Sequence, residues 1–306
     1  MNKYVLGILL AIPLPARALT FNVTYDPSVA SAPAGFTSAF SNALQAFTNA
    51  YSDPIQINLS VGWGEVAGSS LAPGNLGQSF ASERGFTYTP VRTALINDAT
   101  SANDAIAVAG LGASDPTNGA LFVMSNAEAK ALGLLAANRP SSDGAVGFSS
   151  SVGWTFDPNN RAVAGKYDFI GIAEHEISEV MGRFGMLQNG FPGTAFSPID
   201  LFRYTAPGVP DFTPVNGSYF SIDGGTTNVN TFNGTGGGDL SDWAGLTVDA
   251  FNAFSNPGHL EPLSSGDLTL MDVIGYNLIP VPEPSTSLLL GGGVAGLVIF
   301  ARAKRG

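Results

Sequence analysis

The stretch AEHEISEVMGR, residues 173–183, brings together side chains that could hold a metal ion and activate a water molecule. His175 and Glu179 are four residues apart, so on an α-helix they lie on one face with a rise of about 6 Å between them. Two donors placed in this way can bind one ion. Glu176 points to the side, where it could take a proton from a water molecule at that ion. The pattern predicts metal-assisted hydrolysis.

Glutamate at position 179 is compatible with zinc, which accepts carboxylate oxygen at about 2.0–2.2 Å as well as imidazole nitrogen. An anionic ligand neutralises part of the charge of the ion, and this weakens the acidification of a bound water. An oxygen-rich site also admits other divalent ions. The alternative is a surface helix on which Glu174, Glu176 and Glu179 simply face solvent.

The composition limits what other chemistry the chain can perform. None of the 306 residues is a cysteine, which excludes disulfides, thiolate nucleophiles and cysteine-based zinc sites. The only histidines are His175 and His259, so a metal site must rely on carboxylates. The net charge of −11 argues against a nucleic-acid partner. A hydrophobic fraction of 44% indicates a globular core, while the low charged fraction of 12% suggests an extracellular protein rich in turns.

The helix that carries HEISE must be positioned by neighbouring elements. Apolar spacing over 167–182 and the glycine at its end predict this helix, and a phenylalanine stripe predicts an amphipathic helix over 35–50. Alternation over 54–66 predicts a half-buried strand, which fits either the edge of a substrate cleft or any other sheet strand. Further predicted elements are strands at 21–29, 120–125 and within 143–156, and helices near 90–97, 126–135 and 267–276. The simplest architecture is one α+β domain with a loop-rich C-terminal half.

Residues 1–18 have the pattern of a secretory signal peptide. A lysine at position 3 is followed by an apolar run over 4–14, and Ala16-Arg17-Ala18 has the form of a cleavage site. The mature chain is therefore predicted to begin near Leu19.

Residues 281–306 combine Pro282-Glu283-Pro284, a short apolar run over 287–300 and a basic end. The apolar run predicts a transmembrane helix that suits a thin bilayer, and the basic end predicts a cytoplasmic terminus. In this order the features resemble the PEP-CTERM sorting tail of Gram-negative bacteria. The resemblance implies recognition and cleavage by an exosortase, a membrane-bound intermediate in the inner membrane, and export to the cell envelope or extracellular matrix.

AEHEISEVMGR also resembles the active-site helix of metzincin-type zinc metalloproteases, whose pattern is H-E-x-x-H-x-x-G-x-x-H. His175, Glu176 and Gly182 match this pattern, whereas Glu179 replaces the second histidine and Gly185 stands at the third. Together with its tail, the chain resembles PEP-CTERM metalloprotease-like proteins with an HEIxEVMGR helix. The resemblance implies a zincin-like α+β domain over 19–280, with a mixed sheet packed on the active-site helix, Zn²⁺ as the cofactor and a protein or peptide substrate.

A third metal ligand has to come from beyond the helix. In leishmanolysin-like relatives a distant loop supplies it, often beside a tryptophan, and Asp242 in GDLSDWAG resembles that placement. His259 is a rival because imidazole is the more usual zinc ligand, and Asp200 is a third candidate. Each of the three also has a structural interpretation, as a cap, an ion-pair partner or a loop residue. The Asp- and Gly-rich loops make Ca²⁺ a weaker alternative as the bound ion.

The resulting hypothesis is an exported metal-dependent peptidase. In it His175, Glu179 and Asp242 hold zinc, and Glu176 is the catalytic base that activates water for attack on a peptide bond. The competing hypothesis is a non-catalytic zincin-scaffold protein of the extracellular matrix or cell surface.

Overall fold

The computed structural model describes residues 18–187, 195–245 and 248–280. Within these ranges the protein is a mixed α+β structure, which confirms the predicted class. The signal peptide predicted for 1–18 lies outside the described residues apart from Ala18, and the sorting tail predicted for 281–306 lies wholly outside them.

The described residues form six α-helices, two 3-10 helices and a set of mostly short strands. The α-helices are α1 (Phe36–Ala50), α2 (Tyr88–Asp98), α3 (Ala102–Ala109), α4 (Asn126–Ala131), α5 (Phe169–Val180) and α6 (Ser265–Val273). The 3-10 helices are Pro27–Ser31 and Pro198–Phe202. The strands are β1 (Thr20–Tyr25), β2 (Gln56–Trp63), β3 (Glu65–Val66), β4 (Ser69–Ser70), β5 (Gly77–Ala81), β6 (Glu83–Phe86), β7 (Leu121–Ser125), β8 (Gly144–Phe148), β9 (Trp154–Thr155), β10 (Tyr167–Asp168), β11 (Ala195–Phe196), β12 (Arg203–Ala206), β13 (Val209–Pro210), β14 (Tyr219–Phe220) and β15 (Asn230–Thr231).

The sheet nearest α5 has the strand order β1-β2-β8-β5. The first three strands are parallel, and β5 runs antiparallel to β8 at the edge. The predicted strand at 54–66 corresponds mainly to β2, which lies inside the sheet and is buried on both faces. The two edges of the sheet are β1 and β5, and the periodicity of the sequence does not reveal β5.

Helices α1 and α5 pack together through an aromatic core. Phe36 of α1 stacks in tilted contact on Phe169 of α5, with ring centroids 5.0 Å apart, and Phe148 of β8 approaches Phe169 to 4.8 Å. All three rings are buried. Truncating such a ring to alanine costs about 3–5 kcal/mol. The predicted stripe of α1 is confirmed, and it fixes α5 against the sheet.

The C-terminal half is rich in loops and returns to the core through α6. Trp243 anchors the loop that follows residue 238, because its ring packs on Phe220 and Phe232 and its Nε1 donates to Asp267 Oδ1 over 2.7 Å. Asp267 also caps α6 in a reciprocal pair with Ser264. The buried hydrogen bond to tryptophan therefore ties this loop to the start of α6.

One connected hydrophobic core runs from Leu19 to Tyr276. Across the described parts of the chain, no helix combines the length and the apolar character needed to cross a membrane.

Candidate metal centre

The helix α5 ends where the sequence predicts. After Val180 the chain reaches Gly182 with φ at 118°, a conformation that side chains rarely adopt. A Cβ at this glycine would also lie 2.5 Å from a carboxylate oxygen of Glu128. Glycine is needed here for both reasons, and the turn directs Arg183 back toward the helix.

The structure brings His175, Glu179 and Asp242 into one cluster, with a potential ligand atom of each within 4.8 Å of the others. His175 Nε2 lies 3.3 Å from Glu179 Oε1 and 3.6 Å from Asp242 Oδ1. His175 Nδ1 lies 2.8 Å from the carbonyl oxygen of Ala250. Because a carbonyl can only accept, Nδ1 carries the proton, and Nε2 is the atom that points at the carboxylates.

The two distances from His175 Nε2 suit a tetrahedral ion. Ligand atoms at about 2.0–2.1 Å from zinc in tetrahedral geometry lie about 3.3 Å from one another. The spacings around His175 Nε2, 3.3 and 3.6 Å, are close to this value. The donor set of one imidazole and two carboxylates is also one that zinc accepts, so the three residues fit the ion that the sequence predicts.

Arg183 is a fourth member of the cluster that the sequence analysis does not identify. It is wholly buried and its guanidinium donates to Asp242 Oδ1 over 2.5 Å and to Glu179 Oε1 over 3.4 Å. Its Nε donates to Ser178 Oγ, and the guanidinium lies 4.4 Å from the centre of the Phe251 ring. Because α5 ends at Val180 and Arg183 lies beyond the turn at Gly182, helical periodicity does not indicate this contact in the sequence.

The buried charges shift the protonation of the cluster. Burial and the Arg183 charge lower the pKa of His175, but the carboxylates of Asp242 and Glu179 outweigh them and raise it to about 9. Burial raises the pKa of Glu179, but its contacts with His175, Arg183 and Ser79 dominate and lower it to about 2. Without an ion His175 is thus protonated at neutral pH, and metal binding has to displace that proton.

Glu176 is buried beside the cluster and faces β5. A Cβ at Gly77 would lie 2.4 Å from Glu176 Oε1, so the carboxylate occupies the space that a side chain at this position would need. Burial raises the pKa of Glu176 well above its usual value, and the charge of Glu179 adds to this effect. Ser79, two residues along the same strand, donates to Glu179 Oε2 over 2.6 Å.

A cleft of about 1020 Å³ opens over these residues. One wall is β5, and His175, Glu176, Glu179 and Asp242 also line the cleft. The two exposed rings that line it are those of Phe80 and Phe254. The cleft therefore contains both the metal-type cluster and the predicted base.

The edge of β5 offers backbone groups to this cleft. Leu76 O and Ser82 N hydrogen-bond to the chain segments that flank β8. Because hydrogen-bonded pairs alternate in an antiparallel ladder, the N–H and C=O groups of Gly77, Ser79 and Ala81 point away from β8. An extended chain lying beside β5 could pair with them.

The two alternative third ligands lie elsewhere. Asp200 is buried and accepts hydrogen bonds from Ser197 N and Oγ, with Arg203 at 3.7 Å, so it caps the 3-10 helix. His259 is on an exposed loop. Among the described residues, only His175, Glu179 and Asp242 form a group of three or more histidine or acidic side chains close enough to share one ion. A second cluster of this kind is therefore absent from those ranges.

Comparison with known proteins identifies the C-terminal segment. No curated protein and no solved structure matches the chain. Residues 280–305 match the PEP-CTERM protein-sorting motif, as the sequence predicts. The chain thus carries the signal of an exported protein that is recognised by an exosortase-type sorting enzyme and processed at the membrane of Gram-negative bacteria.

Proposed function

We propose that the protein is an exported zinc-dependent peptidase with a zincin-like fold. The observation that carries the proposal is the convergence of His175, Glu179 and Asp242 at distances suited to one tetrahedral ion, with Glu176 beside them in the cleft. The mixed sheet packed on the HEISE helix is the arrangement that a metzincin resemblance implies. After export, the body is expected in the cell envelope or extracellular matrix.

The substrate that suits the cleft is an extended peptide. Its backbone would pair with the outward N–H and C=O groups of Gly77, Ser79 and Ala81. These hydrogen bonds involve only the peptide backbone, so they orient the scissile bond without selecting a particular side chain. Because Gly77 and Ser79 contact Glu176 and Glu179, the paired peptide would lie directly over the reactive carboxylates.

Zn²⁺ at this position would supply Lewis acidity at the peptide carbonyl and, through its positive charge, favour the carboxylate form of Glu176. Glu176 then accepts a proton from the water molecule that attacks the carbonyl carbon. As the C–N bond breaks, Glu176 delivers that proton to the leaving amine nitrogen. His175 is kept in the orientation that this site needs by the carbonyl of Ala250.

The test compares the purified protein with Glu176→Gln for zinc content and casein cleavage. We expect about one zinc per chain in both proteins and a loss of cleavage on the order of 10²–10⁴-fold in the variant, because a general base contributes that much. The proposed peptidase activity would be refuted by a wild-type protein without stoichiometric metal, or by a variant that cleaves casein as fast as the wild type.

A second candidate is a non-catalytic surface or matrix protein on the same scaffold. The observation that favours it is Arg183, which already pairs with both carboxylates and, together with protonated His175, balances their charge without an ion. Under this alternative the cleft binds a matrix polymer or a protein and leaves it intact. Zinc-free protein that binds such a partner through the cleft, with no cleavage, would support this candidate over the peptidase.

A further inference from the structure

We propose that Ser79 is a positioning residue that confines Glu179 to metal binding through one oxygen, an inference that rests on the proposed function. The two oxygens of Glu179 have different neighbours. Oε1 faces His175 Nε2 at 3.3 Å, whereas Oε2 accepts the hydroxyl hydrogen of Ser79 over 2.6 Å. A hydroxyl bound to a carboxylate at this distance forms a strong, charge-assisted hydrogen bond.

The separation of the two oxygens matters because a carboxylate can bind a metal through one oxygen or through both. A catalytic zinc site uses three protein ligands and keeps one position open for water or substrate. A histidine ligand supplies only one atom, but Glu179 could supply two and occupy the open position. The Ser79 hydroxyl hydrogen-bonds to the second oxygen of Glu179 and so keeps that oxygen from filling the open position. A histidine at position 179 would not need such a partner.

The backbone holds Ser79 in a fixed place for this task. Ser79 lies in the middle of β5, directly opposite Val146 of β8. Gly77 is two residues away and therefore faces the same side of the strand, where Glu176 fills the space above it. One face of β5 thus contacts both the proposed ligand and the proposed base, while its free edge is available to the peptide.

The test uses Co²⁺ as a spectroscopic replacement for zinc in the purified protein. Four-coordinate Co²⁺ absorbs visible light strongly, and absorption weakens as the coordination number rises. The variants are Ser79→Ala, Ser79→Thr and Ser79→Val. Threonine and valine have nearly the same shape, but only threonine carries a hydroxyl group. Ser82→Ala, in the same cleft wall, is the matched control.

We expect strong four-coordinate absorption in the wild type, in Ser79→Thr and in Ser82→Ala. The absorption should weaken severalfold in Ser79→Ala and Ser79→Val, and their peptide cleavage should fall about 10- to 100-fold, the usual effect of removing a partner of a metal ligand. Thermal unfolding of each variant controls for loss of the fold. Should Ser79→Ala misfold, the Thr and Val pair still separates the hydroxyl from the packing.

The outcomes distinguish this inference from the proposed function. A four-coordinate spectrum in Ser79→Val that equals that of Ser79→Thr would overturn the role of Ser79 alone. A wild-type protein that binds Co²⁺ but cuts no peptide would refute the proposed peptidase activity. The spectra of the variants would still test the role of Ser79. A wild-type protein that binds no Co²⁺ and no zinc would overturn both.

Discussion

Replacing the buried arginine of the cluster should destabilise the metal-free protein far more than the metal-bound one. Arg183→Met keeps most of the side-chain volume and removes the positive charge. The guanidinium is wholly buried, and its partners Glu179 and Asp242 are only 8% and 3% exposed, so water from the cleft can replace few of the lost contacts. The variant would leave two buried carboxylates with only His175 as a positive neighbour.

The magnitude follows from what is lost. Removing one partner of a buried ion pair costs about 3–5 kcal/mol, because the opposite charge remains buried. Arg183 also gives up a hydrogen bond to Ser178 and the contact over the Phe251 ring. Zinc would bring two positive charges to the same carboxylate oxygens. The bound ion should therefore recover a large part of the loss, and zinc should raise the stability of the variant by more than it raises that of the wild type.

The assay is urea unfolding of both proteins in excess chelator and in excess zinc. Arg203→Met is the matched control, since Arg203 is the other wholly buried arginine among the described residues and lies over the Phe232 ring at 3.9 Å. Its carboxylate partner is Asp200, which is outside the metal-type cluster. We expect Arg203→Met to be destabilised in the same range, with no extra recovery in zinc.

Two results would refute this reasoning. The first is an Arg183→Met protein whose stability in chelator lies within about 0.5 kcal/mol of the wild type, the range expected of an ordinary surface change. The second is equal recovery by zinc in the Arg183 and Arg203 variants. The second result would mean that the ion does not bind at the carboxylates that Arg183 holds.

Two further predictions concern the base and the pH dependence of stability. Gly77→Ala should displace Glu176 and lower kcat on the order of 10- to 100-fold with unchanged zinc content. Gly112→Ala, where a methyl group has room, is the control and should behave as the wild type. An unchanged kcat in Gly77→Ala would contradict the close packing of Glu176 against Gly77. Burial, reinforced by Asp249, raises the pKa of Asp267 to about 8, so the folded protein holds a proton that the unfolded chain releases above about pH 4. The free energy of unfolding should therefore fall as the pH rises from about 4 to 8, by up to about 1.4 kcal/mol per pH unit for this group. Urea unfolding at pH 5 and pH 8 measures this decrease, which should be smaller in Asp267→Asn than in the wild type. Equal pH dependence in the wild type and Asp267→Asn would contradict the assignment to Asp267.

The elements that the sequence predicts correctly are those whose signal is local. The helix expected over 35–50 is observed at Phe36–Ala50, and the HEISE helix expected over 167–182 is observed at Phe169–Val180. In each case an apolar stripe of helical period packs on the core. The resemblance to leishmanolysin-like relatives predicts Asp242, which stands beside a tryptophan, and the structure brings it to His175 and Glu179. Its role as a metal ligand remains a prediction.

The elements that were missed divide into two kinds. The edge strand β5, with the sequence GQSFA, has no clear alternation and few strand-forming side chains, so its conformation depends on pairing with β8 more than sixty residues later. Helix α3 is of the second kind, because it has a local signal in the sequence. Ser101 and Asp104 form a capping box at its start. Long-range pairing cannot be read from the residues, but this cap can.

The attachment of the sorting tail has a consequence for how the protein meets the membrane. The last part of the described chain is fastened to the end of α1, where Leu278 pairs with Tyr51 and Ile279 N donates to Ala50 O over 2.8 Å. Pro282, the first residue of Pro-Glu-Pro, is only three residues further on, a span of at most about 10 Å. An enzyme that acted at Pro-Glu-Pro would therefore have to approach within about this distance of the folded body. A cut at that point would release the body while every contact of its core stays in place.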